Sequence, residues 1–231
     1  MIFAFPVWVE LMFLVTTLAT IVLFYMANGR PLITTIFIIA WAVVQSLLAY
    51  GGFYTVIDTS PPRLMFILIP IVLVMIFGLL PKQRRWFNKT RDVKYSTLLH
   101  TVRLPVEITL YMLFVNRMVP ELMTFEGRNF DIIMGITAPV VAWLLVRNKM
   151  GRKALIAWNV IGLCLVLFIM VNGVLSAQTP FQQFAFDQPN RGIAYFPFVL
   201  LPAVIVPIVI WTHLSDLIRL IWHTNKGNYM D

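Results

Sequence analysis

The sequence predicts an all-α integral membrane protein of seven transmembrane helices, with the N-terminus outside and the C-terminus in the cytoplasm. Three observations carry that prediction. The chain is 60% hydrophobic and only 12% charged, where soluble domains run near a quarter charged. Seven apolar runs approach the ~20 residues that a helix needs to cross a hydrocarbon core of ~30 Å. The basic residues crowd into alternate loops, as the positive-inside bias of membrane proteins requires.

The runs fall at 5–26, 33–54, 64–80, 96–115, 130–146, 154–176 and 194–222. They leave no room for a separate soluble domain, so residues 1–231 are read as one transmembrane domain. No basic segment precedes the first run, and it exceeds the ~7–15 residue apolar stretch of a signal peptide, so it is read as a retained span. Seven spans also permit two parallel three-helix repeats joined by a linker helix. Trp8, Trp86, Trp143 and Trp222 lie near run ends, where indole rings anchor at the interface.

Orientation follows from the eighteen Lys and Arg residues. Arg30, the run from Lys82 to Lys94, the group Arg147, Lys149, Arg152 and Lys153, and finally Arg219 and Lys226 all fall on one side. Arg63, Arg117, Arg128 and Arg191 fall on the other, and Arg103 lies within a span. The predicted location is therefore the cell membrane, multi-pass, with the basic side cytoplasmic and in contact with anionic lipid headgroups. The net charge of +8 is explained by that asymmetry, and no nucleic-acid recognition motif accompanies it.

The chemistry concentrates in the fourth run, where His100, Arg103, Glu107 and Tyr111 are spaced by three, four and four residues and so share one helical face. A charged side chain at a helix centre costs at least ~2.5–3.5 kcal/mol in a bilayer, so the stripe must face inward. Arg103 and Glu107 are placed to pair with each other. Counting from the nearest cytoplasmic cation, His100, Asn159 and His213 each lie six residues deep, ~9 Å at the helical rise, and Asp216 sits one turn nearer the cytoplasm. If the fourth, sixth and seventh runs are neighbours, His100, Arg103, Asn159, His213 and Asp216 form a polar layer, with Glu107 deeper.

Between the fourth and fifth runs, "MTFEGRNFDI" holds Glu126, Arg128, Asn129 and Asp131 around Gly127. Asn129 and Asp131 suit the N-terminus of the next helix. Alternatively the segment is an outer lid, with Arg128 paired to Glu107, Glu121 or Asp187.

These residues predict a bundle that binds or transports a small ligand, whether solute, proton or lipid-like molecule. A second reading is a metal-dependent hydrolase of lipid amides or esters, with His100, His213 and Asp216 holding zinc and Glu107 as base. No HxxxH or HExxH motif supports it. A third reading is a membrane scaffold for partner proteins. A covalently bound retinal is not expected, because Lys82, Lys89, Lys94, Lys149, Lys153 and Lys226 all lie in loops or the tail. The lone Cys164 allows no intrachain disulfide. Absent GxSxG, CxxC and phosphate-binding glycine loops argue against serine-hydrolase, dithiol and nucleotide chemistry.

Overall fold

The computed structural model describes residues 5–78, 80 and 90–222. Helix α1 is Val7–Ala27, α2 is Leu32–Tyr50 and α3 is Met65–Gly78. Helix α4, Val93–Leu99, continues through a 3-10 turn at His100–Val102 into α5, Arg103–Val115. Then come α6, Ile132–Val146, α7, Arg152–Leu175, and α8, Val206–Trp222, which is entered through a π-helical turn at Leu201–Ile205. Of the basic residues that set the predicted orientation, Lys82, Arg84, Arg85, Lys89 and Lys226 lie outside the described residues, as does the interfacial Trp86.

Among the described residues five helices, not seven, are long and apolar enough to cross a membrane: α1, α2, the continuous α4–α5 rod, α7 and the π turn with α8. The third and fifth apolar runs form helices of 14 and 15 residues, only ~21–23 Å long at 1.5 Å per residue. The fifth is short because the chain ahead of it descends into the bundle as non-helical backbone. Asn129 and Asp131 are buried against α5 before the first turn of α6 forms. Such backbone is tolerated at membrane depth only where protein or a cavity surrounds it. With five such helices among the described residues rather than seven, the basis for the symmetric two-repeat plan falls away.

Lipid offers no hydrophobic drive for helices to associate, so close packing and internal hydrogen bonds must hold the bundle. Along α1, Val9, Phe13, Ile21 and Phe24 face inward. The same face carries Thr16, Thr17 and Thr20, whose hydroxyls donate to the carbonyls four residues back at 2.7–3.0 Å, so no polar atom of these side chains is stranded. Helix α8 is the most enclosed span and packs along α7, while α1 packs on α4 and α5. Helix α2 is peripheral, burying little beyond Thr35, Gln45 and Ala49 and turning Ile33, Phe37 and Leu47 outward. Its one buried amide, Gln45, accepts from the Tyr54 hydroxyl, and burial pushes the Tyr54 phenol up to about 12, which keeps it a donor. Helix α3 packs on the π turn and α8.

The proline-rich entrance to α8 is wound more widely than an α-helix. Leu201–Ile205, around Pro202, takes the π pitch, and a π turn leaves carbonyls that a proline cannot serve without breaking the helix.

Candidate intramembrane binding site

Two buried polar clusters lie at different depths. The first ties α1, α4 and α8 together at the basic end. Arg91, just ahead of α4, donates through Nε to Asp216, through Nη1 to Asn28 Oδ1 at 2.8 Å, and through Nη2 to Ser96 Oγ and the Thr212 carbonyl, both at 2.9 Å. Ser96 donates to the second oxygen of Asp216, and Arg219 donates to the Arg91 carbonyl. Every guanidinium nitrogen of Arg91 is satisfied, and both members of the ion pair are fully enclosed.

The second cluster starts where the 3-10 turn hands over to α5. The His100 and His213 rings stack 3.9 Å apart at 15°, with Trp158 against both. His213 Nε2 lies 3.0 Å from Arg103 Nη2 and its Nδ1 2.8 Å from Asn159 Oδ1. Arginine can only donate, so Nε2 accepts, Nδ1 carries the proton, and the ring is neutral. The Asn159 amide donates to the Leu155 carbonyl at 3.0 Å, which fixes its oxygen toward His213. Arg103 pairs with Asp131 at 2.9 Å and reaches the Gly162 carbonyl at 3.3 Å.

Gly162 is what lets α7 approach so closely. A Cβ there would stand 2.5 Å from His213 Cε1 and Nε2 and 2.6 Å from Met134 Cε. Gly162→Ala is expected to displace the His213 ring and lower stability by about 1–3 kcal/mol, as overpacking does. Thermal unfolding in detergent checks it.

The predicted layer therefore forms in part. His100, Arg103, Asn159 and His213 meet, whereas Asp216 is taken by Arg91. Arg103 pairs with Asp131 rather than Glu107. Glu107 Oε1 instead accepts from Asn129 Nδ2 at 2.6 Å. Asn129 also accepts from the Asp131 backbone N–H at 3.1 Å, so it shapes the start of α6 while its amide serves the site. Tyr111 stacks on Phe125 at 5.1 Å beside the loop between α5 and α6, away from the layer. Glu126 and Arg128 are exposed. Arg128 lines an open recess with Glu121 and Asp187, and it takes no part in the buried ion pairs Arg91–Asp216 and Arg103–Asp131. Gly127 is required in this loop because a Cβ would overlap the Glu121 carbonyl.

Beside the second cluster lies a cavity of about 430 Å³ between α3, α5, α7 and α8. Its walls are apolar, among them Leu68, Val106, Val166, Met170 and Ile210, and its polar groups include Glu107, Asn129, Asp131 and Asn190. Two buried acceptors among those groups have no hydrogen-bond partner among the described residues: Glu107 Oε2 and Asn190 Oδ1. Asn190 Nδ2 donates to the Gly173 carbonyl at 3.1 Å, which fixes that amide's orientation too. Sequence reasoning missed Asn190, Arg91, Asn28 and Ser96, all of which read as loop or span-end residues.

Of the predicted metal ligands, His100 and His213 lie against each other and Asp216 is paired with Arg91. Both nitrogens of His213 are in use, Asp216 belongs to the other cluster, and among the described residues no group of three or more His, Cys, Asp or Glu is placed to hold an ion.

A multi-span helical bundle, apolar toward lipid and enclosing a polar-edged cavity, is the architecture of a polytopic membrane protein. The chain belongs to the family described as Domain of unknown function (DUF8737), which matches residues 60–221. That match takes in α3 to α8 and hence the cavity, and leaves α1 and α2 outside it. No curated protein and no solved structure matches the chain.

Proposed function

We propose that this protein binds a small amphipathic molecule inside the membrane, its apolar body in the cavity and its polar head at Glu107. The observation that carries the reading is a buried glutamate with one unpartnered oxygen on the wall of an apolar cavity of about 430 Å³. That volume falls in the ~300–1,000 Å³ range of ligand pockets, which join apolar walls to a few placed polar groups. An intramembrane ionisable residue is by default a functional one. The ligand reaches the site from the bilayer: α3 forms one wall and packs on the π turn and α8, leaving its α7 side to the cavity.

In the same proposal the Arg91 end of the bundle faces the cytoplasm and anionic headgroups. Asn28, Arg91 and Asp216 are brought to one end by their mutual contacts, Arg152 donates to the Leu220 carbonyl on the same helix as Asp216, and Lys94, Arg147, Lys149 and Lys153 lie close by in sequence. That grouping agrees with the positive-inside bias.

The reading is tested by purifying the full chain from membranes and extracting it for mass spectrometry beside Met170→Trp, which fills the cavity from α7. A near-stoichiometric amphiphile in the native chain, lost in the variant, is expected. Equal amounts of the same lipids in both would count against the cavity.

A further inference from the structure

We infer that the cavity takes a long-chain amine, and that each amine bound displaces one proton from Glu107. The inference deepens the ligand-binding reading and rests on it.

The first support is the hydrogen-bond inventory. The two buried polar atoms of the cavity wall with no hydrogen-bond partner among the described residues, Glu107 Oε2 and Asn190 Oδ1, are both oxygens, and with Glu107 ionised both are acceptors only. A head group suited to them brings donors. A carboxylate or phosphate head has only acceptors, and a hydroxyl brings one donor with two further acceptor sites, whereas an ammonium carries three donors and no acceptor.

The second support is the charge inventory around Glu107, taken element by element. Arg103 lies one turn back on α5, and its ion pair is with Asp131 from the chain ahead of α6. Asn129 from that same chain is uncharged, as is Asn190 from the connection after α7. Helices α3, α7 and α8 line the cavity with apolar side chains. His213 of α8 sits behind Arg103 and is neutral by its bonding. Two carboxylates thus share one guanidinium, and Glu107 is the one left over.

An ionised carboxylate without a counter-charge in apolar surroundings is so unfavourable that the group takes up a proton. In the unloaded cavity Glu107 is therefore a carboxylic acid. When an alkylammonium arrives, the acid releases its proton to solvent and the carboxylate pairs with the cation, so the site's net charge is unchanged. One positive charge enters as one leaves. Neutral amphiphiles of the same length gain no such pairing, which makes the exchange the source of selectivity.

The test uses the full chain in phosphatidylcholine nanodiscs, titrated calorimetrically with decylamine, decanol and decanoate against empty nanodiscs. Expected is saturable decylamine binding that tightens about tenfold per pH unit while Glu107 is protonated, by proton linkage. Repeating it in buffers of different ionisation enthalpy should count one proton released. That count is read on the unaltered chain and stands even if a variant fails to fold. Glu107→Gln should abolish the pH dependence and reduce discrimination between decylamine and decanol. Decanol binding as tightly as decylamine, with no proton released, would overturn the amine proposal and leave the cavity reading standing. Saturable binding by none of the three, or decylamine binding untouched by Met170→Trp, would overturn both.

Discussion

Asp216→Ala is expected to lower the stability of the folded bundle by about 3–5 kcal/mol, the usual loss when one partner of a buried ion pair is removed. Asp216 lies at zero exposure, and its carboxylate is the counter-charge of an equally enclosed Arg91. Truncation leaves a guanidinium among α1, α4 and α8 with Asn28, Ser96 and a carbonyl as neutral partners. The scale separates this from an ordinary polar contact, since interhelical hydrogen bonds in membranes average ~0.6 kcal/mol. Arg91→Met combined with Asp216→Leu removes both charges and should lose much less. Reversible unfolding in mixed micelles measures the three chains together. A loss below about 1 kcal/mol for Asp216→Ala would show that water reaches Arg91 and that the cluster is not the lock described above.

Arg103→Ala is expected to be comparably damaging, again about 3–5 kcal/mol, but at the other cluster. It strips Asp131 of its cation, His213 Nε2 of its donor and the Gly162 carbonyl of its contact. Its signature differs from that of Asp216→Ala. Asp131 and Asn129 hold the descending chain against α5, so Arg103→Ala should also expose that segment to limited proteolysis, while Asp216→Ala should not. Arg103→Met with Asp131→Leu should recover most of the stability. Equal proteolytic patterns in the two single variants would contradict the assignment of separate roles.

The sequence was most legible where one rule acts alone. A constant rise per residue put His100, Asn159 and His213 at one level from three different loops, and the bundle brings them together. Hydropathy located the apolar runs but not the depth at which each begins. The run at 130–146 is apolar enough to span, yet α6 starts within the bundle because Asn129 and Asp131 are claimed by Glu107 and Arg103. A span count built on composition cannot contain that competition.

Asp216 was misplaced for a related reason. Its partner Arg91 reads in sequence as one of several loop cations that set orientation, and nothing local distinguishes it from Lys94. The packing of three helices around Arg91 makes the difference. Asn129 illustrates the same limit in milder form. Reading it as a helix-start residue was sound, since it accepts from Asp131 N–H. Its amide's second task, at Glu107, depends on how deep the loop runs.

The claim that organises this account is that the space between α3, α5, α7 and α8 is a ligand site. It is tested most directly by titrating an environment-sensitive fluorescent alkyl probe against the full chain in nanodiscs, beside Met170→Trp. Saturable binding at one probe per chain is expected, abolished by the variant while its unfolding remains cooperative. Binding that never saturates, or that persists unchanged in Met170→Trp, would contradict it.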